Sequence, residues 1–143
     1  MRESKKGESI VTLDGKKVEL PGGDIVIQDG NGELIDLCGI MGGLNSSFTE
    51  KTKRVLLFVQ TYNKQLIRRT SMLTGQRTIA ATYFEKGLDE ERVEATLSYG
   101  VELLKSYADA KVASEVTDIQ SKKYVPRVIS FSLSEINHKI GVD

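Results

Sequence analysis

The sequence predicts an α+β fold, a mostly antiparallel or mixed sheet in layers with one long helix and several short ones. Three observations carry this reading. Residues 9–40 alternate apolar and polar side chains in short runs, broken by Asp-Gly, Pro-Gly-Gly and Asp-Gly-Asn-Gly. That is the pattern of half-buried strands joined by tight turns. Residues 90–107 repeat Val93, Leu97, Val101 and Leu104 at the helical period. With 143 residues, 39% of them hydrophobic and 28% charged, the chain is long enough for a packed core under a solvated surface.

The elements follow in order. SIVTL (9–13) and KVEL (17–20) flank Asp14-Gly15 and predict a hairpin, because a tight primed turn needs positive φ. DIVIQ (24–28) starts a third strand, and residues 33–40 return as a fourth, so the first forty residues read as a β-meander. GIMGG (39–43) predicts a bend where backbones approach closely. A phosphate-cradling loop would need a lysine after it, and Leu44-Asn45-Ser46-Ser47 supplies none. RVLLFVQTY (54–62) reads as a strand buried on both faces, with Val55, Leu57, Val59 and Thr61 on one and Leu56, Phe58, Gln60 and Tyr62 on the other. Asn63 caps a helix over 64–73 with Leu66, Ile67, Thr70 and Leu73 as its inner stripe, and Gly75 stops it. Residues 78–84 read as irregular or extended. Asp89 caps the long helix, whose acidic start suits the positive end of the helix dipole. Gly100 within it marks a tight contact with the sheet. Residues 112–119 and 128–131 read as strands, 121–124 as a charged turn, and a short helix starts at Ser132 or Ser134 and runs through Lys139.

Composition excludes some functions. Twenty basic and twenty acidic residues balance, so net charge implies no strong nucleic-acid or membrane field. Local basic patches remain, at Lys51, Lys53, Arg54, Arg68, Arg69 and Arg77. Cys38 is the only cysteine, which precludes an internal disulfide and suits a reducing cytosol; in the run LIDLCGI it reads as a small buried hydrophobe. One histidine, His138, and one cysteine make no metal site. The N-terminus lacks the apolar stretch of a signal peptide, and no run approaches the roughly 20 apolar residues of a membrane span. The sequence shows no catalytic constellation. Ser71 and Thr70 have no nearby histidine, Asp89 reads as a cap rather than a partner of Glu85, and Glu85-Lys86 reads as an exposed ion pair. Arg68 and Arg69 could hold phosphate oxygens or simply form a solvated helix face. The residues alone lead to a tight, small-residue-lined groove around 78–81.

The stretch RRTSMLTGQRTIAATYFEKGLD (68–89) goes further. Its Arg-Arg-Thr-Ser start, Gly75-Gln76-Arg77-Thr78-Ile79-Ala80 and Phe84-Glu85-Lys86-Gly87-Leu88-Asp89 resemble the β chain of bacterial phenylalanyl-tRNA synthetase. LDGKKVEL (13–20), DIVIQD (24–29) and the GIMGG turn fit the same family, in one continuous order over residues 9–108. The resemblance implies the editing domain of that chain over residues 1–121, a linker at 122–126, and the start of the next β-chain module at 127–143. In that family the domain hydrolyses tyrosine wrongly esterified to the phenylalanine tRNA. ATP and magnesium chemistry belongs to the α chain, so no cofactor is expected here. The implied partners are the phenylalanine tRNA, bound weakly by this chain alone, the α chain and the rest of the β chain, all in the cytoplasm and away from membranes.

The resemblance also implies an editing pocket lined by Phe58, Thr78, Ile79, Ala80 and Ala81, with Arg68, Arg69 and Arg77 as candidate contacts for tRNA phosphates. Phe58 falls where the family places the glutamate that accepts the tyrosine hydroxyl. Ile79 and Ala81 replace polar residues, and the family's histidine motif lies upstream of the matched region. Hydroxyl discrimination needs a polar group that would otherwise be left unpaired, so impaired editing is expected, with Phe58 largely buried and facing Thr78 and Ala80. Active editing through backbone donors and the tRNA's own hydroxyl is the alternative. A module without chemistry, bracing a larger assembly, is the third reading.

Overall fold

The computed structural model of the protein describes residues 1–121 and 125–142. It divides into two compact units, Met1–Val112 and Ala113–Asp143. The fold is α+β, as the sequence predicts, with antiparallel strands and helices.

The first unit opens with six short strands: β1 (Arg2–Glu3), β2 (Ser9–Val11), β3 (Lys17–Glu19), β4 (Ile25–Gln28), β5 (Leu34–Leu37) and β6 (Met41–Gly42). β2 and β3 form the hairpin expected at Asp14-Gly15, with Ile10 opposite Val18 and Gly15 at φ 79°. The expected single meander is split, however. β4 pairs with β1 rather than β3, giving a second sheet in the order β1-β4-β5-β6, antiparallel throughout. The cause lies at residues 21–24. Pro21 has no N–H to donate, and Gly22 and Gly23 both take positive φ, 94° and 73°, turning the chain out of the hairpin plane. Ser4 then captures the chain: its N–H donates to the Asp24 carbonyl at 2.7 Å, and Gly23 N–H donates back to the Ser4 carbonyl at 2.9 Å.

Three helices complete this unit. α1 (Lys64–Thr74) starts where Asn63 Oδ1 accepts from the N–H groups of Gln65 and Leu66, and stops at Gly75 with φ 69°. Its buried stripe is Ile67, Thr70 and Ser71, whereas Leu73, assigned inward from the sequence, is 62% exposed. Polar bonding rotates the stripe: Thr70 Oγ1 donates to Asp24 Oδ1 at 2.6 Å, and Ser71 Oγ to the Gln76 carbonyl at 2.7 Å. α2 (Ile79–Phe84) replaces the irregular segment expected at 78–84. Thr78 supplies the missing start signal, its Oγ1 accepting from Ala81 N–H at 3.0 Å. α3 (Val93–Ala108) follows a short 3-10 turn capped by Asp89. Val93, Leu97, Val101 and Leu104 form its half-buried side. Gly100 is close-packed, but not against the sheet as expected. A Cβ there would lie 3.2 Å from Leu57 Cδ2.

The core joins both sheets to α1 and α2: Ile10, Val18, Leu20, Val26, Leu37 and Ile40 pack with Ile67 and Ala81. Each fully buried Leu or Ile side chain contributes roughly 1.5–3 kcal/mol. Residues 54–62 are not the doubly buried strand expected. They form no strand, and Leu56 is 85% exposed. Residues 112–119 and 128–131, also expected as strands, are likewise without regular structure and exposed. A strand exists only with a ladder partner. No backbone hydrogen bond among the described residues joins these segments to a neighbouring strand. The second unit holds α4 (Leu133–Ile140), started at Ser132 by a capping box with Glu135. The charged turn at 121–124 and the linker at 122–126 lie in part outside the described residues.

Candidate functional site

An open cleft of about 340 Å³ lies where the β5–β6 turn meets residues 58–62 and α2. Gly39 makes the turn possible. It takes φ 68°, and a Cβ there would lie 3.0 Å from both Ile67 Cδ1 and Tyr62 Cδ2. Tyr62 and Phe84 form one wall, their ring centroids 5.0 Å apart and tilted by 59°. Met41, Phe58, Val59 and Ala80 add apolar surface, while Asp36 and Gln60 supply polar groups. Residues 58–62 make no ladder, and four of them, Phe58, Val59, Gln60 and Tyr62, line the cleft, while Leu57 packs toward Gly100. A second cleft of similar size on the β2–β3 hairpin is lined by Gly7, Ser9, Lys17 and Glu19, with no aromatic or aliphatic side chain in its wall.

Burial dominates the electrostatics. It raises the Asp36 carboxyl above its ordinary pKa, partly offset by a hydrogen bond with Cys38. It pushes the Cys38 thiol up to about 12, helped by the Asp36 charge, and raises the Tyr62 phenol. Tyr62 Oη donates to Gln60 Oε1 at 2.5 Å. Cys38, 1% exposed and protonated at neutral pH, is no nucleophile. What the cleft offers is an apolar body with one carboxylate, suited to a small group bearing a hydrogen-bond donor.

The structure sorts the residues singled out from the sequence. Phe58 and Ala80 come together on the cleft. Phe58 is not largely buried as expected but 47% exposed, because residues 54–62 run along the surface rather than inside a sheet. Thr78 caps α2 and donates from Oγ1 to the Ile40 carbonyl at 2.8 Å, fastening the helix to the β5–β6 turn. Ile79 is 78% exposed and Ala81 is buried in the core, so α2 turns its three consecutive residues in three directions. The arginines have protein partners. Arg68 and Arg77 both approach Glu85, at 3.7 and 3.3 Å. Arg69 donates to the Gly22 carbonyl at 3.0 Å and sits 3.7 Å from Asp24. Glu85, read from sequence as paired with Lys86, is instead clamped by these two arginines. His138, the only histidine, is on α4 in the second unit.

Gln60 lines the cleft on the face that the sequence assigns to it together with Phe58, whereas Asp36 was missed. The available signal was strand parity. In LIDL, Asp36 falls on the face opposite the buried Leu37, where a charge between apolar neighbours calls for an explanation. Among the described residues, no group of three or more His, Cys, Asp or Glu is placed to hold a metal ion. No described helix is long and apolar enough to cross a membrane.

Fold and cleft together define a small α+β domain with an open, largely apolar recess of small-molecule size. The chain belongs to the B3/4 domain family, whose model matches residues 1–109. It is similar to phenylalanine–tRNA ligase beta subunits. That of Porphyromonas gingivalis is 35% identical over 95% of this chain, that of Lactococcus lactis 35% over 100%, and that of Aquifex aeolicus 37% over 90%. The chain spans 16%, 18% and 16% of those relatives' lengths, respectively.

Proposed function

We propose that this chain is the editing-type domain of a phenylalanine–tRNA ligase beta subunit, and that its cleft receives the aminoacyl group of a charged tRNA. The carrying observation is the meeting of Phe58 and Ala80 across a recess of about 340 Å³ with one carboxylate in it, in a chain whose relatives bear that subunit's name. The phenylalanine tRNA, an alpha chain and further beta-chain modules are the partners this reading entails. ATP and magnesium would act elsewhere in the parent enzyme.

Hydrolysis by this chain alone is impaired on this reading. Acyl transfer requires an activated nucleophile or a positioned base. The Tyr62 phenol on the cleft wall has a raised pKa, the buried Cys38 lies off the lining, Phe58 and Ala80 bring no acid or base, and Asp36, the cleft's one carboxylate, has no histidine beside it on the lining. The expected result is that tyrosyl-tRNA specific for phenylalanine decays at the same rate with and without the chain. Concentration-dependent ester loss that survives repurification would reject the impairment. Ala80→Phe should abolish binding of tyrosinamide, a mimic of the aminoacyl end, while leaving the fold intact, since Ala80 is exposed. Unchanged binding in that variant would move the site elsewhere.

A further inference from the structure

We propose that the loop at residues 43–57 docks the single-stranded RNA end that carries the aminoacyl group, with Phe48 as a stacking surface and Lys51, Lys53 and Arg54 as phosphate contacts. The inference rests on the aminoacyl reading above and deepens it. An aminoacyl group travels on the terminal ribose of an RNA strand. A cleft that receives it therefore needs a neighbouring surface for phosphates and unstacked bases. The loop is tied to the cleft at both ends: it leaves at Gly42 and returns at Phe58, and both residues line the recess.

The loop is held in shape by its own bonds. Its first part, a 3-10 turn at Leu44–Ser46, is fastened to β5. Asn45 Nδ2 donates to the Leu34 carbonyl at 3.1 Å, and Ser46 Oγ to the Ile35 carbonyl at 2.9 Å. Its tip is closed by two threonines. Thr49 N–H donates to Thr52 Oγ1 at 2.8 Å, and Thr52 N–H donates to the Thr49 carbonyl at 2.9 Å. Beside this tip Phe48 is 83% exposed. Lys51, Lys53 and Arg54 are exposed as well, and Glu50 is the only acid within residues 44–54. The chain as a whole balances its charges, so this excess is local. None of the three cations makes an ion pair among the described residues. Arg68, Arg69 and Arg77, by contrast, are held by Glu85 and Asp24.

A ring left in water beside unpaired cations fits what a single strand presents, because bases stack on the ring while phosphates meet the cations. A duplex keeps its bases stacked on one another and would use the cations alone.

The test titrates the 143-residue chain with a fluorescein-labelled single-stranded RNA hexanucleotide ending in CCA, followed by anisotropy. With about three phosphates neutralised, log Kd should rise with log salt at a slope of about 2, or roughly twentyfold between about 50 and 200 mM. Lys51→Gln, Lys53→Gln and Arg54→Gln together should flatten that slope to below about 1. Phe48→Ala should weaken the single strand at least about fivefold and leave a short RNA duplex unaffected. All four side chains are exposed, so these variants should melt with the unaltered chain. Lys5→Gln, Lys6→Gln and Lys17→Gln together, equally exposed but away from the loop, should leave the Kd unchanged. Equal weakening by the two triple variants would mean a general attraction of charge and overturn the inference. So would displacement of the RNA by polyglutamate as readily as by unlabelled RNA, or an equal loss of single strand and duplex in Phe48→Ala. Absent RNA binding, or RNA binding insensitive to all four loop residues, beside tyrosinamide binding at the cleft would overturn the inference and leave the aminoacyl reading standing. Binding of neither RNA nor tyrosinamide would remove both.

Discussion

Single residues in this protein are governed by how far each is withdrawn from water. Phe58 and Ala81 are the clearest contrast. The sequence reading treats both as lining one pocket, but Phe58 is 47% exposed and Ala81 is 1% exposed. Phe58→Glu should therefore shift stability by less than about 1 kcal/mol, as ordinary for a half-exposed position. A loss of several kcal/mol in chemical denaturation would show that Phe58 is more buried in solution. Asp36 carries a pH signature whose sign is fixed by its raised pKa. Below the unfolded-state value, about 3.9, the carboxyl is protonated in both states and costs nothing. As pH rises from there through the higher folded-state value, the unfolded chain ionises first and the folded state loses relative stability. Cys38 and Tyr62, the titratable neighbours, stay protonated throughout because both their pKa values are raised. Asp36→Asn should thus melt at a higher temperature than the unaltered chain at pH 7, with the gap closing near pH 3.5. A gap that is constant across that range would mean that the carboxylate is solvated.

At the scale of elements, the motif that carries the family resemblance is largely a fastening. Arg69 and Thr70 reach Asp24, which also accepts from Ser4 Oγ and Gly22 N–H, so α1 is tied to the start of β4. Arg68 and Arg77 hold Glu85 just after α2. Thr78 joins α2 to the β5–β6 turn. Thr78→Ala removes both a cap and a bond to the Ile40 carbonyl, and should cost about 1–2 kcal/mol. Thr78→Ser should recover most of that loss. Equal loss in both variants would point to the methyl group rather than the hydroxyl. The caps at Asn63, Asp89 and Ser132 were legible because each is a local bond between a side chain and the next turn. The helix at 79–84 was not. Its cap, Thr78, is an equally local bond to Ala81 N–H, but the six residues that follow are too few to show a helical period. The Asp24 and Glu85 networks were equally hidden, since their partners come from distant parts of the chain.

For the first unit as a whole, the difference between expectation and structure has one physical origin. Turns and most caps are short-range and were readable, whereas strand pairing depends on which neighbour is present. The run at 54–62 has the composition of a core strand, yet Val55, Leu56 and Phe58 are 64%, 85% and 47% exposed. Its amides make no ladder bonds among the described residues. By contrast, Val26 and Leu37 are fully buried within paired strands, and Ile67 is 1% exposed in a capped helix. Local stability should follow this division, because exchange of an amide hydrogen requires a broken bond and access to water. In hydrogen–deuterium exchange followed by mass spectrometry, peptides covering 53–61 should label within the first time point. Peptides covering 25–28, 34–38 and 65–71 should be protected by orders of magnitude. The extended run should also be cut by a broad-specificity protease before α1 is. Strong protection across 53–61 would mean that those amides have found a strand partner in solution. The cleft wall formed by Phe58 and Gln60 would then be a sheet edge rather than a surface strap.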